Sequence, residues 1–329
     1  MKKVVVIGSN SFSGSDFIDL LLEKEEYQVL GVSRSKEKPS LFLPYLKRQS
    51  AHFTFHQIDL NHDLSKFAEL LKAFQPEYIV NFAAQSEVGP SWENPQHWFQ
   101  TNAVATTSLV HHLKEMPFIK KYLHISSPEV YGSCVGFIKE DAPLNPSTPY
   151  AASKAAGDLS LFTYYKHFNF PLVLIRATNV YGAHQQLFKI IPRAAIAIKN
   201  QEVIELHGGG EAIKSYIHIR DVSRGELLAM EKGRVGEIYH LSPSQGVAVK
   251  DLVNLICRKM GADPQKVTRS VHERLGQDKA YTIDSSKIRE ELGWKSEISL
   301  EKGIDQTLEW IESHIEEINQ CSRCYIHKA

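Results

Sequence analysis

Cysteine is scarce in this 329-residue chain, long apolar runs are missing, and neither sign of charge prevails. Four cysteines are too few for a disulfide scaffold, which suits a reducing cytoplasm. Cys321-Ser-Arg-Cys324 with His327 has part of a zinc-ligand spacing. A closed site needs a fourth ligand, so no metal is expected. No stretch is long enough to cross a bilayer, and the four apolar residues between Lys3 and Gly8 are too short for the core of a signal peptide. Lys plus Arg and Asp plus Glu both number 38. That balance leaves no electrostatic footprint for nucleic acid or an anionic membrane, and neither is expected as a partner.

What the chain does have is alternation. Apolar strand patterns at 4–7, 29–32, 53–57, 78–82, 122–125 and 172–176 alternate with helical ones, which predicts an α/β fold of Rossmann type with a doubly wound parallel sheet. Beyond Gly182 short strands at 203–206, 216–219 and 238–241 mix with helices at 249–260 and 300–315. The expected organisation is a dinucleotide-binding domain over 1–178 and a smaller mixed α/β substrate lobe over 179–329, interleaved with a return to the first domain.

Two motifs carry chemistry. The chain opens on a strand, the turn Gly8-Ser9-Asn10-Ser11-Phe12-Ser13-Gly14, and an amphipathic run; small residues there let the backbone approach a pyrophosphate at a helix start. Ser11 stands where a middle glycine is usual. The next strand ends in Ser33 and Arg34 rather than in the acidic residue that bonds the ribose 2′-hydroxyl of NAD, which favours NADP and leaves NAD as second choice. Asp59-Leu60, Ala83-Ala84-Gln85 and Ser126–Glu129 each follow a strand directly, where ligands bind in such sheets. The second motif is Tyr150 and Lys154, four apart on one predicted helix face. A lysine ammonium beside the phenol is expected to lower its pKa into the range of a general base.

These segments together resemble the extended short-chain dehydrogenase/reductases, and within them the nucleotide-sugar 4,6-dehydratases. Asn81-Phe-Ala-Ala-Gln-Ser86-Glu87-Val-Gly-Pro-Ser is similar to a segment of the GDP-mannose enzymes; Asn179-Val-Tyr-Gly182, Lys189-Ile-Ile-Pro192, 213–221 and Glu273-Arg274-Leu-Gly-Gln-Asp278 resemble the dTDP-glucose enzymes. The resemblance implies a 4-keto-6-deoxy product from a nucleotide-diphosphate sugar. It assigns catalysis to Ser127, Glu129, Tyr150 and Lys154. It assigns the cofactor to the residues above with Asn102, and the substrate to Ser86, Glu87, Ser127, Glu129, Asn179, Lys189, Lys214, Arg274 and Asp278.

Two positions depart from the family pattern. Pro128 cannot act as the aspartic acid of the dTDP-glucose enzymes, so Glu129 would have to serve as both base and acid. Glu87 replaces a usual histidine and either reshapes the sugar pocket or makes a surface ion pair. Decarboxylation, 4-epimerisation and non-catalytic NADP sensing are the alternatives. A homodimer is implied through helices at 102–114 and 150–167, with Leu109, Leu113, Leu159 and Leu161 as candidates for a four-helix interface.

Overall fold

The computed structural model describes residues 1–133, 136–272 and 280–328. Seven parallel strands form the central sheet: β1 Lys2–Ile7, β2 Tyr27–Ser33, β3 Phe53–Gln57, β4 Tyr78–Asn81, β5 Lys121–Ile125, β6 Leu172–Ala177 and β7 Ile238–Leu241. Their spatial order is β7-β6-β5-β4-β1-β2-β3. The six strands expected in the first half are all present. The order reverses between β1 and β4, which opens a crevice at the carboxyl ends of those strands.

Among the described residues eight longer helices pack around the strands or build the lobe: α1 Phe12–Glu23, α2 Leu64–Phe74, α3 Thr106–Leu113, α4 Pro149–Phe168, α5 Ile190–Lys199, α6 Ile219–Lys232, α7 Val249–Lys259 and α8 Leu300–Ser313. Alternate residues of β1 serve opposite faces. Val4 and Val6 join a core with α1 and α6, whereas Val5 and Ile7 join one with α2, α3 and α4. Burial on both faces explains why these strands read as continuous apolar runs.

A third core holds the smaller lobe, where α5, α7 and α8 pack together around Ile191, Ile196, Val253, Ile256 and Ile311. The lobe carries a four-stranded sheet and two strand pairs. Its connectivity is interleaved in both directions. Phe137–Ile138 pairs with Ala280–Ile283 in the lobe, while β7, from beyond the lobe's first elements, pairs with β6 at the edge of the central sheet. Among the described residues no helix is long and apolar enough to cross a membrane.

Candidate active site and cofactor cleft

The turn after β1 is built for close approach. Gly8 has φ +82°, and a Cβ there would lie 2.8 Å from the backbone nitrogen of Ala83, while one on Gly14 would lie 2.4 Å from the Gly8 carbonyl. Both positions therefore require glycine. Ser11 caps α1 by accepting from the Gly14 N–H at 3.0 Å, so the serine in the place of a middle glycine has a structural task. Asn10 donates to the carbonyls of Ser35 and Lys36, each at 2.8 Å, and holds the loop after β2 against the turn.

One cleft is lined by Gly8, Asn10, Ser11, Ser33, Arg34, Asp59, Leu60, Ala83, Ala84, Gln85, Ser86 and Glu87. Phe12 is buried at the start of α1. Asn102 is buried and acts at one remove: it accepts from the Gln85 N–H at 2.9 Å and donates to the Gln85 carbonyl and to Ser153 Oγ, both at 2.9 Å. Asn10 Oδ1 and Asn61 Oδ1 are buried without a hydrogen-bond partner. Buried orphan acceptors are costly unless something satisfies them. Together with the tight turn and the helix start, they fit a dinucleotide with polar ribose and phosphate groups. Asn61, two residues past Asp59, also lines the cleft with Thr101, Lys38, Gln186, Phe188 and Tyr325. Asn61 was within reach of strand-end reasoning; Tyr325 is distant in sequence and carried no motif.

Tyr150 and Lys154 occupy the first turns of α4, which starts at Pro149 because Thr148 Oγ1 accepts from the Ala151 N–H at 3.1 Å and proline suits the first helical position. Both side chains are buried. Lys154 Nζ donates to the Ile125 carbonyl at 2.8 Å and lies 3.3 Å from His124 Nε2. Burial pushes its ammonium down to about 8, against the pull of Asp158 and with a further push from Arg176. Burial, with Lys154 and Arg176 nearby, also keeps His124 neutral, its pKa well below the usual histidine range.

The phenol departs from expectation. Burial raises the Tyr150 pKa, Glu129 and Glu87 raise it further, and only a hydrogen bond with Ser127 opposes them. In the protein by itself burial and the carboxylates therefore hold the phenol protonated, and the expected lowering by Lys154 is not seen. Ser127 and Glu129 sit on one short turn, where Ser127 Oγ accepts from the Glu129 N–H at 3.2 Å. Pro128 starts this turn and is buried. Ser127 is thus hydrogen-bonded to Tyr150, and the charges of Glu129 and Glu87 both act on the phenol.

Behind Lys154 lies an ionic network. Asp158 Oδ2 accepts from Arg176 Nη2 at 2.8 Å and from Ser126 Oγ at 2.6 Å, and Arg176 also bonds Tyr131. Sequence reasoning missed this network, although Asp158 lies one helical turn beyond Lys154.

On the lobe side, Asn179 N and Nδ2 both donate to the Ser215 carbonyl, at 3.0 and 3.3 Å, which brings Asn179 beside Lys214. Lys189 precedes α5 and pairs with Glu87 at 2.6 Å. Glu87, which lines the cleft, is thus engaged in an ion pair with a lobe-side lysine that is itself partly exposed. Arg274 and Asp278 lie outside the described residues.

The interface residues need correction. Leu109, Leu113 and Leu161 are buried in the chain's own core, and only Leu159, 60% exposed, faces outward. Residues two apart on a helix differ by roughly 200°, so Leu159 and Leu161 cannot share a face.

A reversed parallel sheet, a glycine turn at a helix start, and a serine, tyrosine and lysine at the crevice define a nicotinamide-dinucleotide enzyme of the short-chain dehydrogenase/reductase class. The chain belongs to the GDP-mannose 4,6 dehydratase family, whose profile matches residues 5–307. It is 32% identical over 259 residues to a dTDP-glucose 4,6-dehydratase of Xanthomonas campestris pv. campestris, covering 73% of this chain and 74% of the relative. Among solved structures, it resembles the dTDP-glucose 4,6-dehydratase DesIV from Streptomyces venezuelae with NAD and TYD bound, with TM-score 0.89, 28% identity and coverage of 96% and 98%. It also resembles a UDP-glucuronic acid 4-epimerase from Bacillus cereus in complex with UDP-glucuronic acid and NAD, with TM-score 0.87, 25% identity and coverage of 94% and 99%.

Proposed function

We propose that the protein is a nucleotide-diphosphate-hexose 4,6-dehydratase. The observation that carries this reading is the convergence of Glu129 and Ser127 on Tyr150 at the end of β5. When bound, the nicotinamide takes hydride from C4 and returns it at C6. Tyr150 accepts the C4 hydroxyl proton while Ser127 hydrogen-bonds the same oxygen; because burial and the carboxylates hold the phenol protonated in the protein by itself, the positive charge of a bound oxidised nicotinamide would have to join the Lys154 ammonium in freeing it for this role. The 4-ketone acidifies the C5 proton. Glu129 removes that proton and then protonates the departing C6 hydroxyl, so that water leaves; because residue 128 is proline, one carboxyl does both tasks. As hydride returns at C6 a proton from solvent is added at C5, and Tyr150 releases to solvent the proton it took from C4, which closes the cycle. Asn179, Lys189, Lys214, Arg274 and Asp278 hold the substrate, and the cations among them suit a diphosphate.

Ser33 and Arg34 at the end of β2, with Lys38 on the following loop, support NADP. The NAD bound to the solved relatives supports NAD as the second reading. Competition binding of the two dinucleotides, repeated in Arg34→Asp, decides between them. The division into 1–178 and 179–329 serves these two ligands, and the free thiols of Cys257, Cys321 and Cys324 suit a cytoplasmic setting. We also propose a homodimer through the outward faces of α3 and α4, now centred on Leu159. Incubation with nucleotide hexoses, followed by mass spectrometry, tests the activity. Loss of one water supports dehydration, loss of carbon dioxide from a hexuronate supports decarboxylation, and an unchanged mass with inverted C4 supports the epimerase reading that the Bacillus cereus likeness favours.

A further inference from the structure

The segment after helix Ile315–Asn319 does not trail away from the protein. Tyr325 and His327 are half-buried, whereas Ile326 and Lys328 are exposed, the alternation of an extended stretch. Tyr325 meets Phe188 edge to face at 5.7 Å between ring centroids. His327 stacks on both Trp98 and His97, each at 5.1 Å, and its Nε2 lies 2.8 Å from His97 Nδ1. The Lys328 carbonyl accepts from Gln85 Nε2 at 2.6 Å and from Arg34 Nη2 at 3.2 Å.

Phe188 lies toward the substrate lobe, while Gln85 and Arg34 belong to the wall and rim of the dinucleotide cleft. The segment therefore bridges the cleft and engages the side chains assigned above to the cofactor. It lies beyond residues 5–307, which the family profile matches. We propose that 324–328 is a strap that closes the dinucleotide cleft and sets the rate of cofactor entry. The inference rests on the reading of the cleft as a dinucleotide site. It also suits the proposed chemistry: hydride taken at C4 returns at C6, the cofactor ends each cycle as it began, and turnover does not require its exchange.

Stopped-flow binding of NADP, and separately of NAD, to the full chain without any sugar tests the strap. In the native protein the observed rate should level off with dinucleotide concentration at the rate of strap opening, because entry waits on a conformational step. In Tyr325→Ala/His327→Ala the rate should rise linearly with no plateau, and its slope at low concentration should be about tenfold steeper, as expected if the open form is roughly a tenth of the native population. His327→Phe, which keeps a ring against Trp98, should restore the plateau. Equal rates and equal concentration dependence in the native and double-variant proteins would overturn the strap alone. So would an equal acceleration by Val203→Ala, whose side chain is exposed and outside the cleft lining. If neither dinucleotide binds either protein, the cofactor reading fails and the strap fails with it.

Discussion

At the scale of single residues, the phenol and the carboxyl divide the work. Tyr150→Phe should lower kcat by roughly 10²–10⁴-fold, as expected for loss of a positioned acid–base group, and no reduced cofactor should form on mixing with substrate. Glu129→Gln should lose product formation by a similar factor yet still give the absorbance of reduced cofactor, since oxidation at C4 does not need it. Loss of both signals in Glu129→Gln would contradict the assignment. Lys154 adds a pH dependence. Its folded pKa of about 8 lies below the ordinary lysine value of 10.5, so between these values the unfolded chain binds more protons. Its contribution to stability therefore rises with pH across that window and is flat below it. Urea midpoints of wild type minus those of Lys154→Met should climb from about pH 8 to 10.5. Asp158→Asn removes one partner of a buried ion pair and should cost about 3–5 kcal/mol in the same assay, because Arg176 is left buried and uncompensated.

Among the elements, the contact between α4 and the turn Gln100–Ala105 decides how well the cleft wall is held. A Cβ on Gly157 would lie 2.3 Å from the Asn102 carbonyl, so helix and turn touch backbone to backbone. Gly157→Ala should force them apart at a cost of roughly 1–3 kcal/mol. Because Asn102 braces Gln85, dinucleotide affinity should fall together with melting temperature. This segment also marks where sequence reasoning stopped. The inner strands were legible because Val4–Ile7 and their counterparts are buried on both faces and leave unbroken apolar runs; β3, at the sheet edge, is largely exposed and was legible from the alternation of Phe53 and Phe55 with polar residues. The turn at Gly8, the Ser127–Glu129 turn and the Tyr150–Lys154 helix were legible because their tasks are local. The π-helical turn at Gln100–Ala105, the Asp158–Arg176 pair and the contacts of His327 were not, since each depends on residues that only the tertiary fold brings together. The four leucines proposed for a dimer show the same limit: an apolar residue does not reveal which of two apolar environments it serves.

For the whole molecule, an outward Leu159 is the testable remnant of the expected interface. Leu159→Glu should shift the protein from dimer to monomer on gel filtration without changing its melting temperature by more than a few degrees, because the side chain is exposed within one chain. A monomer already in the wild type would remove the dimer. Both lobes should melt in one calorimetric transition, since each supplies a strand to the other's sheet. That exchange has a further cost for anyone dividing the chain. A fragment ending at residue 178 would leave β6 as a naked border, with its row of N–H and C=O groups unanswered along an apolar ribbon. Such a border recruits its own kind, so the isolated piece should gather into sheet-rich aggregates rather than persist as a small nucleotide binder.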